Sequence, residues 1–148
     1  METNDILTLL PHRYPFLLVD RIIDMNGDIS ATGIKNVTLN EPYFQGQFPH
    51  RLVMPMTLLL QGMAQTAGAL CMRHLAVKEP PLIYFMGIDK ARLRRPVRPG
   101  DIVHYRVEEI RSRGLIWRYR GKALVDDILV AWAEFSAALL RDPRQPQN

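Results

Sequence analysis

The stretch Met56–Leu75, MTLLLQGMAQTAGALCMRHL, limits what this chain can fold into more than any other. Its apolar residues Leu58, Leu59, Leu60, Met63, Ala64, Ala67, Leu70 and Cys71 fall on every side of a helical wheel. A helix with no polar face has to be covered on all sides. The pattern predicts a buried helix over Pro55–Ala76, with only its last turn, marked by Arg73, His74 and Lys78, facing water. Cations there also suit the negative end of a helix. Thr57–Met72 is shorter than the roughly 20 residues a membrane span needs, and it carries Gln61, Gln65 and Thr66. In front of the helix stands a glycine- and proline-marked loop, YFQGQFPHRLVMP, and no Asp or Glu occurs between Glu41 and Glu79. Unpaired N–H groups at a helix start make such a loop a place to hold a ligand.

The remaining elements must supply the cover. Asn4–Leu10 is expected to be a short helix that Pro11 ends. Pro11 and Pro15 hold the next residues extended, and Phe16–Val19 forms a strand continuing through Ile22 and Ile23. Asn26-Gly27 signals a two-residue hairpin with a return strand over Ile29–Val37. After the helix come an apolar run at Leu82–Met86, a basic stretch at Asp89–Arg98 and a turn at Pro99-Gly100-Asp101. Val103, Tyr105 and Val107 alternate with polar residues, as do Leu115, Trp117, Tyr119, Ala123 and Val125 against Arg118, Arg120 and Lys122. Turns fall at Arg113-Gly114 and Asp126-Asp127, and Ile128–Leu140 closes the pattern with Val130, Trp132 and Phe135. The expected fold is α+β: one domain over 1–141, with a long helix rolled in an antiparallel sheet of about six strands. Residues 142–148 form a polar, proline-rich tail expected to be disordered. Such a sheet leaves an edge that a second copy would cover.

Composition narrows the setting. With 148 residues, 47% hydrophobic and 23% charged, the chain is of ordinary globular type. The single cysteine, Cys71, excludes an internal disulfide and is expected to be a buried apolar residue. The N-terminal sequence shows no charged segment followed by a long apolar one, so a cytoplasmic protein is expected. The net charge of +4 favours an anionic partner: nucleic acid, a phosphate-bearing ligand or an acidic protein.

Three segments together carry a family resemblance: LPHRYPFLLVDRI (Leu10–Ile22), NEPYFQGQFPHRLVMP (Asn40–Pro55) and YFMGIDKARLRRPVRPGD (Tyr84–Asp101). In order and spacing the chain closely resembles the FabZ-type (3R)-hydroxyacyl-[acyl-carrier-protein] dehydratases, as far as Leu140. The resemblance implies a hot-dog fold and a role in type II fatty acid, or related acyl or polyketide, synthesis. It implies no cofactor and no metal. It also implies dimers, assembled in some cases as a trimer of dimers, with sites at the dimer interface. The implied partner is acyl carrier protein bearing a phosphopantetheine-linked acyl chain. Eliminating water from a 3-hydroxyacyl thioester requires a group that takes the proton beside the carbonyl and one that protonates the leaving hydroxyl. The family uses a loop His and a helix Glu from opposite subunits, with a helix N-terminus polarising the carbonyl.

Both catalytic positions depart from the family pattern. The loop motif reads Gly46-Gln47-Phe48-Pro49, placing Gln47 at the His position. The helix motif reads Gln61-Gly62-Met63-Ala64-Gln65, placing Gln61 at the Glu position. An amide donates and accepts hydrogen bonds but does not titrate in the working range. Losing one general acid or base costs on the order of 10²–10⁴-fold in rate, so the pair predicts weak or no dehydratase activity from this chain alone. A role as the silent half of a heteromer with an active dehydratase subunit follows. Leu52 and Met56 replace a proline and the glycine of the helix start, and Met56 should narrow the approach to the helix amides. His50 is the candidate substitute base; its competing reading is a solvated loop histidine. His12 is expected to fix its loop, and His74 and His104 to be structural or solvated.

The resemblance also implies that Gly46, Phe48, Pro49, Pro55, Met56 and Gln65 contact substrate, and that Tyr84 and Phe85 gate an acyl tunnel. Tyr84 and Phe85 would equally serve as core. The cations Lys90, Arg92, Arg94, Arg95 and Arg98 would receive the acidic carrier protein. Against that stands a solvated strand edge. Nucleic-acid binding lacks any accompanying motif. A hot-dog thioesterase would need a carboxylate on or near the helix, and Pro42–Lys78 contains none.

Overall fold

Six strands form one antiparallel sheet in the order β1-β2-β4-β5-β6-β3. The computed structural model describes residues 1–75 and 82–140. In chain order these are α1 (Thr3–Leu9), β1 (Arg21–Asn26), β2 (Ser30–Asn36), a 3₁₀ turn at Pro42–Phe44, α2 (Met56–Leu75), β3 (Leu82–Leu93), β4 (Ile102–Arg113), β5 (Ile116–Val125) and β6 (Ile128–Leu140). The α+β expectation of a central helix wrapped by six strands is met. Among the described residues, no helix is long and apolar enough to cross a membrane.

The sheet curls around α2, whose main neighbours are β2, β4 and β5. Twelve of its residues are buried, and Leu59, Met63 and Leu70 among them have no measurable exposure. Alternation in the strands supplies the opposing surface. Val103, Tyr105 and Val107 of β4 are buried, as are Trp117, Tyr119 and Ala123 of β5 and Ala131, Ala133 and Phe135 of β6. The backbones approach closely because three glycines stand at the contacts. A methyl group at Gly33 would collide with Thr66, one at Gly121 with Met63, and one at Gly62 with the Tyr105 ring.

Several sequence expectations need correction. Phe16–Val19 is not a strand; β1 starts only at Arg21. The segment's backbone is instead engaged by the helix: Gln65 Oε1 accepts from Leu18 N at 2.8 Å, and Gln65 Nε2 donates to Phe16 O at 2.7 Å. The β1–β2 connection is three residues, Gly27–Ile29, rather than two, because Asn26 pairs with Ser30. Gly27 takes the left-handed position, at φ 56°. Trp132 lies on the face of β6 opposite Ala131 and Ala133, half-buried. The expectations placed on Ala76, Lys78 and the tail at 142–148 lie outside the described residues.

Three polar devices hold the periphery. The Arg13 guanidinium donates to the carbonyls of Leu7, Leu10 and His12, taking up free carbonyls where α1 ends. The Lys35 ammonium is 2.6 Å from Glu41 and 3.9 Å from Asp20, pinning the 3₁₀ turn to β2. Met54 N donates to Val97 O at 2.8 Å, fixing the chain just before α2 begins.

Candidate active site

One face of α2 carries Gln61, Ala64, Gly68 and Cys71, spaced at three, four and three residues and therefore in line along the helix. Ala64 and Gly68 are small, and the space they leave opens as a cavity of about 240 Å³. Ile83 and Phe85 of β3, Trp117 and Tyr119 of β5 and Phe135 of β6 close its far wall. The end of α1 and Pro11-His12 close another side. Phe85 stacks on Phe135 with ring centroids 5.3 Å apart. The result is a largely apolar slot whose wall includes, besides Cys71, Trp117 and Tyr119, the polar side chains His12, Gln61 and Gln65.

These three differ in what they can still do. Gln65 is 1% exposed, and both ends of its amide already hold the Phe16–Leu18 backbone. Gln61, half-buried, forms no side-chain hydrogen bond among the described residues. His12 Nδ1 is buried and has no partner among the described residues, while its ring packs against Phe16 at 5.6 Å. Burial, and secondarily the Arg13 guanidinium, lowers the His12 pKa below the ordinary imidazole value, so the ring is neutral near pH 7. Cys71 also faces the slot; burial pushes its thiol up to about 11, which keeps it protonated and unreactive. Tyr119, raised chiefly by burial, stays a neutral phenol.

Gln47 stands elsewhere. Its Nε2 donates to Tyr43 O at 2.9 Å and Val53 O at 3.1 Å, and its Oε1 accepts from Val53 N at 3.0 Å. The side chain clamps the loop from Tyr43 to Val53 and does not line the cavity that holds Gln61. Within one chain, then, the two glutamines are not brought together. Gly46 sits at φ 79° beside the clamp, in a turn. Phe48 is 81% exposed, and Pro49 and His50 are exposed too. Pro55 and Met56 lie at the start of α2, where Leu58 N and Leu59 N donate to Pro55 O. Tyr84 is 49% exposed and points away from the cavity that Phe85 lines. Lys90, Arg92, Arg94, Arg95 and Arg98 are all exposed, and none forms an ion pair among the described residues.

Residues 10–134 match the FabA-like domain family. The chain is 54% identical over 141 residues to the 3-hydroxyacyl-[acyl-carrier-protein] dehydratase FabZ of Allorhizobium ampelinum, spanning 95% of this chain and 91% of that protein. It belongs to the FabZ-type dehydratase family. The FabZ of Rhodospirillum rubrum is 50% identical over 142 residues, 95% of this chain and 89% of that one. Among solved structures, the dehydratase heterocomplex ApeI:P from Xenorhabdus doucetiae superposes with a TM-score of 0.79 at 16% identity, over 92% of this chain and 91% of that one. The PaaI protein of the E. coli phenylacetic acid degradation operon superposes at 0.61 with 14% identity, over 79% and 80%. At those identities the likeness is one of fold. The close FabZ relatives make this chain a FabZ-like dehydratase homologue.

Sequence reasoning did not single out the cavity's far wall. Trp117, Tyr119 and Phe135 were legible only as inward-facing strand residues. His12, expected to fix its loop, proves to line the cavity, and nothing in PHRYPF distinguishes those two roles.

Proposed function

We propose that this FabZ-like chain binds acyl-carrier-protein thioesters and, as a lone homodimer, has weak or no dehydratase activity. The observation that carries the reading is the disposition of the glutamines. Gln61 faces the apolar slot where a FabZ glutamate would act, while Gln47 is engaged three times over by its own loop backbone. Neither amide titrates in the working range. The slot suits an acyl chain, since its walls are apolar apart from a few polar groups. The exposed cations from Lys90 to Arg98 suit the acidic surface of a carrier protein.

The reading includes a dimer built on β3, either with a second copy or with an active dehydratase subunit. A family site draws on two subunits, so in such a heteromer each shared site would pair one titratable group of the partner subunit with one glutamine of this chain. The test is an assay of the purified protein with 3-hydroxyacyl carrier protein, scored for enoyl product. Product formation should be slower than that of a FabZ enzyme by 10² or more. Turnover at an ordinary FabZ rate would sink the reading. The double substitution Gln47→His with Gln61→Glu should recover activity, unless Met56 and Leu52 obstruct the site.

The competing reading is an active dehydratase using His50 as its base. His50 is exposed on the loop, away from the cavity wall. If His50 were the base, His50→Ala would abolish whatever turnover the assay detects.

A further inference from the structure

The outer face of the sheet, turned away from α2, carries a second hollow. A groove of about 610 Å³ runs over β1, β2, β4 and β5. Strand register decides which side chains stand over it. Thr32 is opposite Arg106, and Arg106 is opposite Lys122, forming one row across the strands. Two residues along, Ser30 is opposite Glu108, and Glu108 is opposite Arg120. All six line the groove. So does Asp24, at φ 49° in the irregular stretch of β1 between Ile23 and Asn26. A bulge of this kind re-aims a side chain.

The charges in this groove do not answer one another. Like charges directly opposite on adjacent strands are destabilising, yet Arg106 and Lys122 are so placed. Asp127 accepts from one arm of the Arg106 guanidinium at 2.6 Å, and Glu134 holds Arg120 at 2.9 Å. Lys122, Glu108 and Asp24 form neither an ion pair nor a side-chain hydrogen bond among the described residues. Free cationic donors therefore stand beside free carboxylate acceptors. A bare anion answers only the donors and is repelled by Glu108; a neutral polyol answers only the carboxylates. A molecule that joins a phosphate to a chain of hydroxyls answers both. We propose that this groove binds a phosphorylated sugar or polyol. Lys122 and the remaining N–H groups of Arg106 donate to its phosphate, and its hydroxyls donate to Glu108 and Asp24. Two adjacent cations suit the double charge of a phosphate ester, and the groove's volume leaves room for the polyol beside it. The sheet itself separates this groove from the cavity along α2, so the inference is independent of the acyl reading.

The experiment is calorimetric titration of the intact protein with ribose 5-phosphate, ribose and inorganic phosphate at low ionic strength. Ribose 5-phosphate should bind saturably, and about 10-fold or more tighter than either of its parts. Lys122→Met keeps most of the stem and removes the charge, and should weaken ribose 5-phosphate by about 10-fold. Glu108→Gln should weaken ribose 5-phosphate while leaving inorganic phosphate unchanged or tighter, a split that general charge attraction does not give. Both positions are exposed on their strands, so both variants should fold. Lys90→Met is the control: Lys90 is exposed on β3, outside the groove, and its loss should leave binding unaltered. Three results would each overturn the proposal: no saturable binding of ribose 5-phosphate, inorganic phosphate binding as tightly, or equal weakening by Lys90→Met and Lys122→Met. The last would leave only a diffuse attraction of the basic surface for anions.

Discussion

Gly62 and Tyr105 are a matched pair across the α2–β4 contact. The ring of Tyr105 is fully buried and occupies the place where a side chain at residue 62 would go. On helix propensity alone, Gly62→Ala would stabilise α2 by about 1 kcal/mol. The collision should win, because a fully buried ring cannot swing aside and overpacking costs about 1–3 kcal/mol. Denaturant unfolding of Gly62→Ala should therefore show a lower midpoint, and a raised midpoint would contradict this packing. The Tyr105 hydroxyl has no partner among the described residues, so Tyr105→Phe removes an unsatisfied group. Its unfolding free energy should be unchanged or higher by about 1 kcal/mol. The same pair bears on the engineered return of activity, since Gln61→Glu must be made beside a glycine that cannot be changed with it.

At the scale of elements, Gln65 joins α2 to a segment that has no strand partner of its own. Gln65→Leu would leave Leu18 N unpaired in the interior, at about 1–3 kcal/mol, and would also release the part-buried Phe16 O. Loss of stability by denaturation, with faster amide exchange at Leu18, is the expected result; an unaffected exchange rate would argue against the tether. On the outer sheet face, Arg118 lies 3.1 Å from both Asp89 and Glu134, and Arg120 is 2.9 Å from Glu134, linking β3, β5 and β6. The Arg120 hydrogen bond, together with Arg118, holds the Glu134 carboxyl below its ordinary value of 4.5, against an opposing effect of burial. With the folded value depressed, the contribution is complete above pH 4.5 and is lost as pH falls through the lowered value. Arg120→Leu should thus be less stable than wild type at pH 7, and the difference should shrink as unfolding is repeated below pH 4.5. A constant difference across that range would remove Glu134 from the account.

For the whole molecule, the open question is the sheet edge. Among the described residues β3 pairs with β6 on one side only, and it bears exposed Tyr84, Met86 and Ile88 at 49%, 57% and 48%. A long apolar edge strand invites pairing with another chain. Two bulges, between Phe85 and Gly87 and between Ile88 and Lys90, bend it without shortening it. Met86→Lys adds a charge at an exposed site, so the monomer should fold normally but assemble poorly. Sedimentation of wild type should show a dimer or larger, and Met86→Lys should shift the population toward monomer. A dimeric Met86→Lys protein with unaltered affinity would place the interface elsewhere.

What the sequence determined by itself was everything that repeats with a backbone period. The all-round apolar run required a buried helix, and the alternation in 103–107 and 117–123 required strands facing it, whereas Leu115 falls in the turn, exposed, and the phase shifts after Ala123. Local backbone chemistry placed the turns at Gly100, Gly114 and Asp126-Asp127, all of them positive-φ positions. The motifs, being contiguous, also revealed the family and the two glutamines. Only the tertiary structure could decide where unpaired polar groups find partners, because those partners are distant in the chain. Gln65 reaches residues 47 and 49 positions away, and so holds Phe16–Val19, which leaves a turn closed on Arg13 O and pairs with no strand. Gln47 and Gln61, alike on paper, part company for the same reason: one is closed by its loop, the other is open to a cavity. That cavity exists because the small faces of Ala64 and Gly68 meet side chains from β3, β5, β6 and the end of α1, a convergence that no local pattern encodes.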